Sequence, residues 1–171
     1  MAGKLVQVAT ETVTSNVSSV QLTGIDSDDV YMVAIRDVRI SNHNDYLYMR
    51  VTKGGTDDST ANYDYAYKDL RAGYSFVDRS STNQTWWNTW VNMDDAVQGE
   101  TANAIFYLYN FNSASEYSFV TAEQVHISVY GTAMGSQGGM VHTVASASDG
   151  VWFDFNSGNI VGGTFTLYKV V

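Results

Sequence analysis

The apolar residues of this chain recur with a period of two wherever a period is visible, and this feature limits the fold more than any other. In one stretch, Leu47, Met49 and Val51 alternate with aromatic and basic residues. Successive side chains of a β-strand point to opposite faces, so such alternation is typical of a strand with one buried face. No segment repeats its apolar residues with the period of an α-helix over several turns. The sequence therefore predicts an all-β protein with almost no helix.

Short segments rich in β-branched and aromatic residues follow one another along the chain. Val30–Ile40 is the longest of the first half, and Ala104–Phe111 has apolar residues on both faces, which predicts a central strand buried on both sides. Gly131–Gly139 is rich in glycine, and its second half, Gly135–Gly139, is interpreted as a flexible turn. About ten short strands at this spacing predict an antiparallel β-sandwich of the jelly-roll type. We interpret residues 1–13 as an N-terminal arm or edge strand and residues 14–171 as a single β-sandwich domain.

Two turn signals predict β-hairpins. Asn42–Asp45 joins Val30–Ile40 to the alternating stretch Tyr46–Thr52. Near the end of the sequence, Val151–Phe155 and Thr164–Val171 flank a connection rich in asparagine and glycine, the residue types that tolerate tight turns. We expect this second hairpin to close a sheet.

The charge of the chain excludes two classes of partner. The sequence has 9 basic and 18 acidic residues, and its formal net charge is -9. Nucleic-acid binding needs basic side chains that neutralise phosphates, and anionic membrane surfaces attract basic segments for the same reason. The chain has no cysteine, so disulfides and thiol chemistry are also excluded. We therefore expect neither nucleic acid nor a membrane as a partner.

The sequence contains no pattern that predicts a catalytic residue, a cofactor site or a metal site. The turn Asp26–Asp29 offers carboxylate oxygens of the kind that bind Ca²⁺, but it lacks the glycine and the distal glutamate of an EF-hand loop. Asp154 lies between aromatic residues, and burial there would raise its pKa. The alternation of that strand directs the side chain to solvent instead. We accordingly expect no enzyme, no cofactor and no bound metal.

Aromatic residues are abundant, with 12 Tyr, 7 Phe and 4 Trp. Neighbouring residues of an extended segment point to opposite faces, so Trp86 and Trp87 cannot both lie in the core, and one of them is expected to meet a partner. The N-terminal arm is expected to add a strand to a neighbouring subunit. The predicted interface residues are therefore the apolar residues of the arm and three tryptophans: Leu5, Val6, Val8, Trp86, Trp87 and Trp90.

Two short segments, Met32–Arg36 and Leu47–Arg50, precede a C-terminal sequence that runs from Phe155–Ser157 through Gly158-Asn159-Ile160 to Thr164–Lys169. This order of features resembles a group of short virion structural proteins of bacteriophages, among them marine and cyanophage-like viruses. The resemblance implies a jelly-roll β-sandwich carried on the phage particle. It also implies a role as a head decoration protein or as a component of the tail or fibre.

The leading hypothesis is a non-enzymatic virion structural protein, a capsid decoration or cement protein that acts through contacts between subunits. Its expected partners are other copies of itself, as a homotrimer, and the major capsid protein or other virion proteins. Its expected location is the virion, which assembles in the host cytoplasm. The alternative is a tail-fibre or receptor-binding module that holds a host surface glycan with tyrosine and tryptophan side chains. A glycan-degrading enzyme is a third and weaker hypothesis.

Overall fold

The computed structural model describes residues 3–93 and 101–171, without the side chains at 90–93. Within these residues the chain forms thirteen β-strands and no helix. The strands are β1 (Leu5–Val13), β2 (Ser19–Thr23), β3 (Tyr31–Ile40), β4 (Asp45–Lys53), β5 (Thr56–Asp57), β6 (Tyr63–Arg71), β7 (Val77–Gln84), β8 (Trp87–Met93), β9 (Ala102–Tyr109), β10 (Ser118–Ile127), β11 (Ala133–His142), β12 (Gly150–Phe155) and β13 (Ile160–Val170). The predicted all-β class is confirmed.

The strands form two antiparallel sheets that pack into a sandwich. Sheet A has eight strands in the order β1-β13-β3-β9-β10-β11-β6-β7. Sheet B has five strands in the order β2-β12-β4-β5, and β8 also pairs with β4. Every pairing in both sheets is antiparallel.

Eight of the strands have the connectivity of a jelly roll. In chain order these are β1, β2, β3, β4, β8, β9, β12 and β13. The first pairs with the last, the second with the seventh, the third with the sixth and the fourth with the fifth. This nested pairing is what results when a long antiparallel ribbon is rolled into two sheets.

The other five strands are insertions, and they explain why the number of strands exceeds the predicted ten or so. Strands β5, β6 and β7 follow β4, and strands β10 and β11 follow β9. Four of the five join sheet A as the extension β10-β11-β6-β7. The interpretation of Gly135–Gly139 as a flexible turn is wrong, because these residues belong to β11, which pairs with β10 on one side and with β6 on the other.

Neither predicted hairpin is present. Strand β3 belongs to sheet A and β4 to sheet B, so the turn at Asn42–Asp45 carries the chain from one sheet to the other. The C-terminal pair behaves in the same way, since β12 lies in sheet B and β13 lies in sheet A, between β1 and β3. Two successive strands, each with one buried face, can either pair by hydrogen bonds within one sheet or face each other across the core in different sheets. Alternation and turn residues therefore predict the strands without predicting their pairing.

The core fills the space between the sheets. The rings of Phe106 and Phe165, from sheet A, lie 6.0 and 5.5 Å from the ring of Phe153, from sheet B, measured between centroids. All three side chains are fully buried, and so is Trp87. Burial of a side chain of this size contributes about 2 kcal/mol or more to folding.

The N-terminal segment is an edge strand of its own subunit. Strand β1 pairs with β13 from Leu5, opposite Val170, to Val13, opposite Gly163. The register shifts between Gln7 and Ala9, which leaves Val8 in a β-bulge. The expected arm that adds itself to a neighbour is therefore folded onto its own sheet, and only its outer edge is available to a partner.

Candidate functional site

The outer face of sheet A carries a row of small residues that crosses three strands. Thr121 of β10 lies opposite Gly139 of β11, which lies opposite Ala66 of β6. A Cβ built on Gly139 would meet nothing closer than a carbonyl oxygen at 3.6 Å, so the space above this glycine is open. We call this row and the depression over it the sheet A groove.

Larger side chains border the sheet A groove. A depression of about 820 Å³ lies over the groove, with Phe119 on one wall. It continues into a second depression of about 560 Å³ beside Tyr107 and Gln137. Strands are about 4.8 Å apart, so a groove that crosses β10, β11 and β6 and reaches β7 is roughly 15 Å long.

Large apolar side chains are exposed on the same face, and four of them belong to β9 and β10. The exposed fractions are 42% for Ile105, 39% for Tyr107, 45% for Phe119 and 56% for Val125. The first two belong to β9 and the others to β10, which are neighbours in the sheet. The prediction that Ala104–Phe111 is buried on both faces is therefore wrong, because only the face with Phe106 and Leu108 packs against sheet B.

The charged residues of this face are engaged locally. The Lys68 ammonium lies 2.6 Å from the Asp78 carboxylate. The Gln137 amide donates a hydrogen bond of 2.8 Å to Glu123. Arg36 lies 3.4 Å from the carboxylate of Asp37, its neighbour in sequence.

The outer face of sheet B carries aromatic residues that pack on one another. The rings of Tyr48 and Trp86 are stacked, with centroids 4.7 Å apart. The guanidinium of Arg50 lies 4.7 Å from the centroid of Trp152 and 5.7 Å from that of Trp86. We call Tyr48, Trp86, Arg50 and Trp152 the sheet B stack. Contacts of a guanidinium with aromatic faces are attractive and strengthen when they are partly desolvated.

Hydrogen bonds fix Arg50 in the centre of the stack. Its Nε donates to the carbonyl oxygen of Thr85 at 2.8 Å, and its Nη1 lies 2.8 Å from the carboxylate of Asp57. The side chains of Arg50 and Asp57 are 15% and 31% exposed, so water screens this ion pair only in part.

Asp154 lies beside the sheet B stack and is only half exposed. In the register of sheet B it lies between Ser19 of β2 and Tyr48 of β4. Its Oδ1 is buried and has no hydrogen-bond partner among the described residues. Burial raises the pKa of Asp154 to about 7, although Arg50 acts in the opposite direction. The side chain points outward as predicted, but it is partly buried.

The two adjacent tryptophans lie on opposite sides of the sheet, as their positions in sequence predict. Trp87 is fully buried, and its Nε1 donates to the carbonyl oxygen of Val141 at 3.1 Å. Its selection as an interface residue is therefore wrong. Trp86 lies on the outer face but stacks on Tyr48. The side chain of Trp90 lies outside the described residues.

The three interface residues selected near the N-terminus are exposed. The exposed fractions are 49% for Leu5, 41% for Val6 and 36% for Val8. All three belong to β1, whose outer edge pairs with no strand in the described part of the chain.

The acidic turn at Asp26–Asp29 uses its carboxylates within the protein. Tyr31 donates a hydrogen bond of 3.0 Å to Asp26, and this bond lowers the pKa of Asp26. Lys169 lies 2.7 Å from Asp29, and this contact lowers the pKa of Asp29. The described residues contain no group of three or more histidine or acidic side chains placed to hold a metal ion.

The sheet A groove was not predicted from the sequence. The signal for it is the small size of the three side chains in its row. Thr121, Gly139 and Ala66 are each unremarkable in a strand, and only the register of three strands brings them into one row.

Comparison with known proteins adds no family to this description. No protein-family model matches the sequence, and no curated protein matches it either. Over the residues that the structure describes, no helix has the length and apolar character needed to cross a membrane.

Proposed function

We propose that the protein is a non-enzymatic structural protein of a phage virion, which decorates the capsid and assembles as a homotrimer. The observation that carries this proposal is the outer edge of β1. It combines backbone groups without a strand partner in the described chain with the exposed apolar side chains of Leu5, Val6 and Val8.

An edge of this kind favours strand addition. Unpaired backbone N–H and C=O groups accept a further strand, and proteins usually protect such edges with charged residues or bulges. The bulge at Val8 is a partial protection of this sort. Strand β7, at the opposite edge of sheet A, has the sequence VDRSSTNQ and is far more polar. The contrast favours β1 as the edge that a partner strand covers.

A partner that adds a strand to β1 gains main-chain hydrogen bonds and buries three apolar side chains. The proposed partner is the major capsid protein or another virion protein. Jelly rolls of this connectivity are common in viral capsid and lectin domains, which agrees with the resemblance to phage virion proteins.

The test uses phage particles that lack this protein, to which purified protein is added. Cryo-electron microscopy then measures occupancy on the capsid. We expect the wild-type protein to bind and the variant Val6→Lys to bind at least tenfold more weakly, because a charge on the edge strand opposes strand pairing. Tyr74→Lys, which places the same charge on an exposed residue between β6 and β7, is the matched control. Absence of wild-type protein from the capsid, or equal occupancy by both lysine variants, would contradict the proposal.

One observation favours the alternative of a glycan-binding fibre module. The half-exposed carboxyl group of Asp154 lies on the same outer face as Trp152, which is half-buried and offers an aromatic surface to a sugar ring. A glycan array measures this directly. Binding that is lost in both Trp152→Ala and Asp154→Asn supports the alternative, and an array without any bound glycan removes it.

A further inference from the structure

The exposed apolar residues on the outer face of sheet A form one continuous patch. Tyr107 lies opposite Thr121 in the register of β9 and β10, and Ile105 lies opposite Glu123, two positions along. Phe119 lies opposite Tyr109 at the other end of the patch. Monomeric soluble proteins rarely expose large continuous apolar patches, and those that exist usually mark an interaction site.

We infer that this patch binds a second copy of this chain. The inference concerns a different surface from β1, and it rests on the proposed function only in that a decorating protein assembles with itself. Three properties of the face favour a copy of the same chain over other occupants.

The first property is charge. Each copy has a formal net charge of -9, so two copies repel each other over most of their surfaces. The patch residues Ile105, Tyr107, Phe119 and Val125 are uncharged, and at the border Lys68 is paired with Asp78. Glu123, opposite Ile105, is the one acidic side chain within the patch, and it accepts a hydrogen bond from Gln137. Two acidic subunits therefore meet here with only this carboxylate to accommodate.

The second property is size. Sheet A has eight strands, and at about 4.8 Å per strand it is roughly 35 Å wide. With strands about 30 Å long, the outer face covers on the order of 1,000 Å². A stable interface buries about 800 Å² on each partner, so the face is large enough for one.

The third property is shape. The sheet A groove and the projecting rings of Tyr107 and Phe119 lie side by side on the same face. A surface with both a projection and a depression is self-complementary when the projection of one copy enters the depression of the other. Aromatic residues placed in this way contribute much of the binding energy at interfaces.

Two variants test the patch without disturbing the fold. Phe119→Glu introduces a charge on a side chain that is already exposed. Gly139→Val fills the groove, and the backbone of Gly139 accepts a Cβ without a close contact. Tyr74→Glu is the control, since Tyr74 is 65% exposed and lies between β6 and β7, away from the patch.

The measurement is the molar mass in solution as a function of protein concentration, from light scattering or analytical ultracentrifugation. We expect the wild-type protein and Tyr74→Glu to form dimers or trimers, and both patch variants to weaken association at least a hundredfold. Circular dichroism confirms that each variant is folded, and Gly139→Val remains informative if Phe119→Glu does not fold.

A wild-type protein that stays monomeric at high concentration would overturn the inference. This holds also if the patch of the monomer binds a glycan. So would patch variants that associate as tightly as the wild-type protein. The experiment uses no phage particles, so its failure leaves the proposed capsid contact of β1 open to its own test.

Discussion

The two outer faces of the sandwich both carry aromatic residues, but they use them in opposite ways. On sheet B the rings contact one another and the guanidinium of Arg50. On sheet A, Tyr107 and Phe119 border the groove, and both are well exposed. The number of aromatic residues on a surface therefore says little about binding. What matters is whether the protein itself supplies the partner for each ring.

A local cause accounts for the difference. On sheet B the carbonyl of Thr85 and the carboxylate of Asp57 hold Arg50 over two indole rings. On sheet A, Tyr107 lies opposite Thr121, and the row that continues from Thr121 to Gly139 has no side chain large enough to cover the ring. The first face contributes to stability, and the second is free to contribute to association.

The largest expected difference between the two sheets concerns one glycine in each. A Cβ on Gly150 of β12 would collide with the backbone of Leu22 and Thr23, which are rigid parts of β2. We expect Gly150→Ala to lower the free energy of unfolding by about 3 kcal/mol or more. Gly139→Ala, on sheet A, should change it by less than about 1 kcal/mol. Urea denaturation measures both, and equal effects would contradict the described packing.

The second comparison uses one arginine from each face. Arg50→Met removes a partly buried ion pair and leaves Asp57 without its cation, so we expect a loss of about 3 kcal/mol. Arg36 and Asp37 have side chains that are 74% and 62% exposed, and Arg36→Met should have almost no effect. If the two variants were equally stable, the sheet B stack would not be a stabilising cluster.

The third comparison depends on pH. Burial raises the pKa of Asp154 to about 7, well above its value in an unfolded chain. The folded protein therefore binds this proton more tightly than the unfolded chain does. The contribution of Asp154 to stability decreases as the pH rises from about 4 to about 7 and stays low above that range.

Asp154→Asn removes this dependence. After allowance for partial exposure, we expect a gain of about 2 kcal/mol at pH 8 and little change near pH 4. Thermal unfolding of both proteins across that range measures the difference. A variant that is less stable than the wild-type protein at pH 8 would show that the ionised carboxylate has a favourable partner.

The smallest expected effect compares two aromatic truncations. Trp86→Ala removes the stack with Tyr48, and we expect a loss of about 1.5 kcal/mol. Phe119→Ala should cost less than about 0.5 kcal/mol when measured at concentrations too low for association. The loss of unfolding free energy caused by Phe119→Ala should increase with protein concentration, and the loss caused by Trp86→Ala should not. This result would support association through sheet A and stabilisation through sheet B.

Much of the fold is predictable from local sequence. The alternation of Leu47, Met49 and Val51 places β4 and its buried face correctly, because side-chain direction in a strand depends only on position. The turn between β3 and β4 could not be predicted as a crossing between sheets. Its residues reverse the chain equally well in a hairpin and in a crossover, and only the nested pairing of distant strands decides between them.

The candidate sites show the same limit. The rule that adjacent residues face opposite ways correctly separates Trp86 from Trp87, although it does not say which of them is buried. It also separates Tyr107 from Phe106, but it does not say whether the face that carries Tyr107 is covered. That depends on strands far away in sequence, as the row from Thr121 to Ala66 illustrates.

The place of β13 between β1 and β3 has a consequence for biosynthesis. Thr10 of β1 meets Phe165 of β13, which is 155 positions later in the chain. At the usual speed of translation, a ribosome needs roughly ten seconds or longer to make that much polypeptide. Throughout this interval the two flanking strands lack the neighbour that joins them. Insertion of β13 thus completes sheet A only after the twelve strands that precede it have been made.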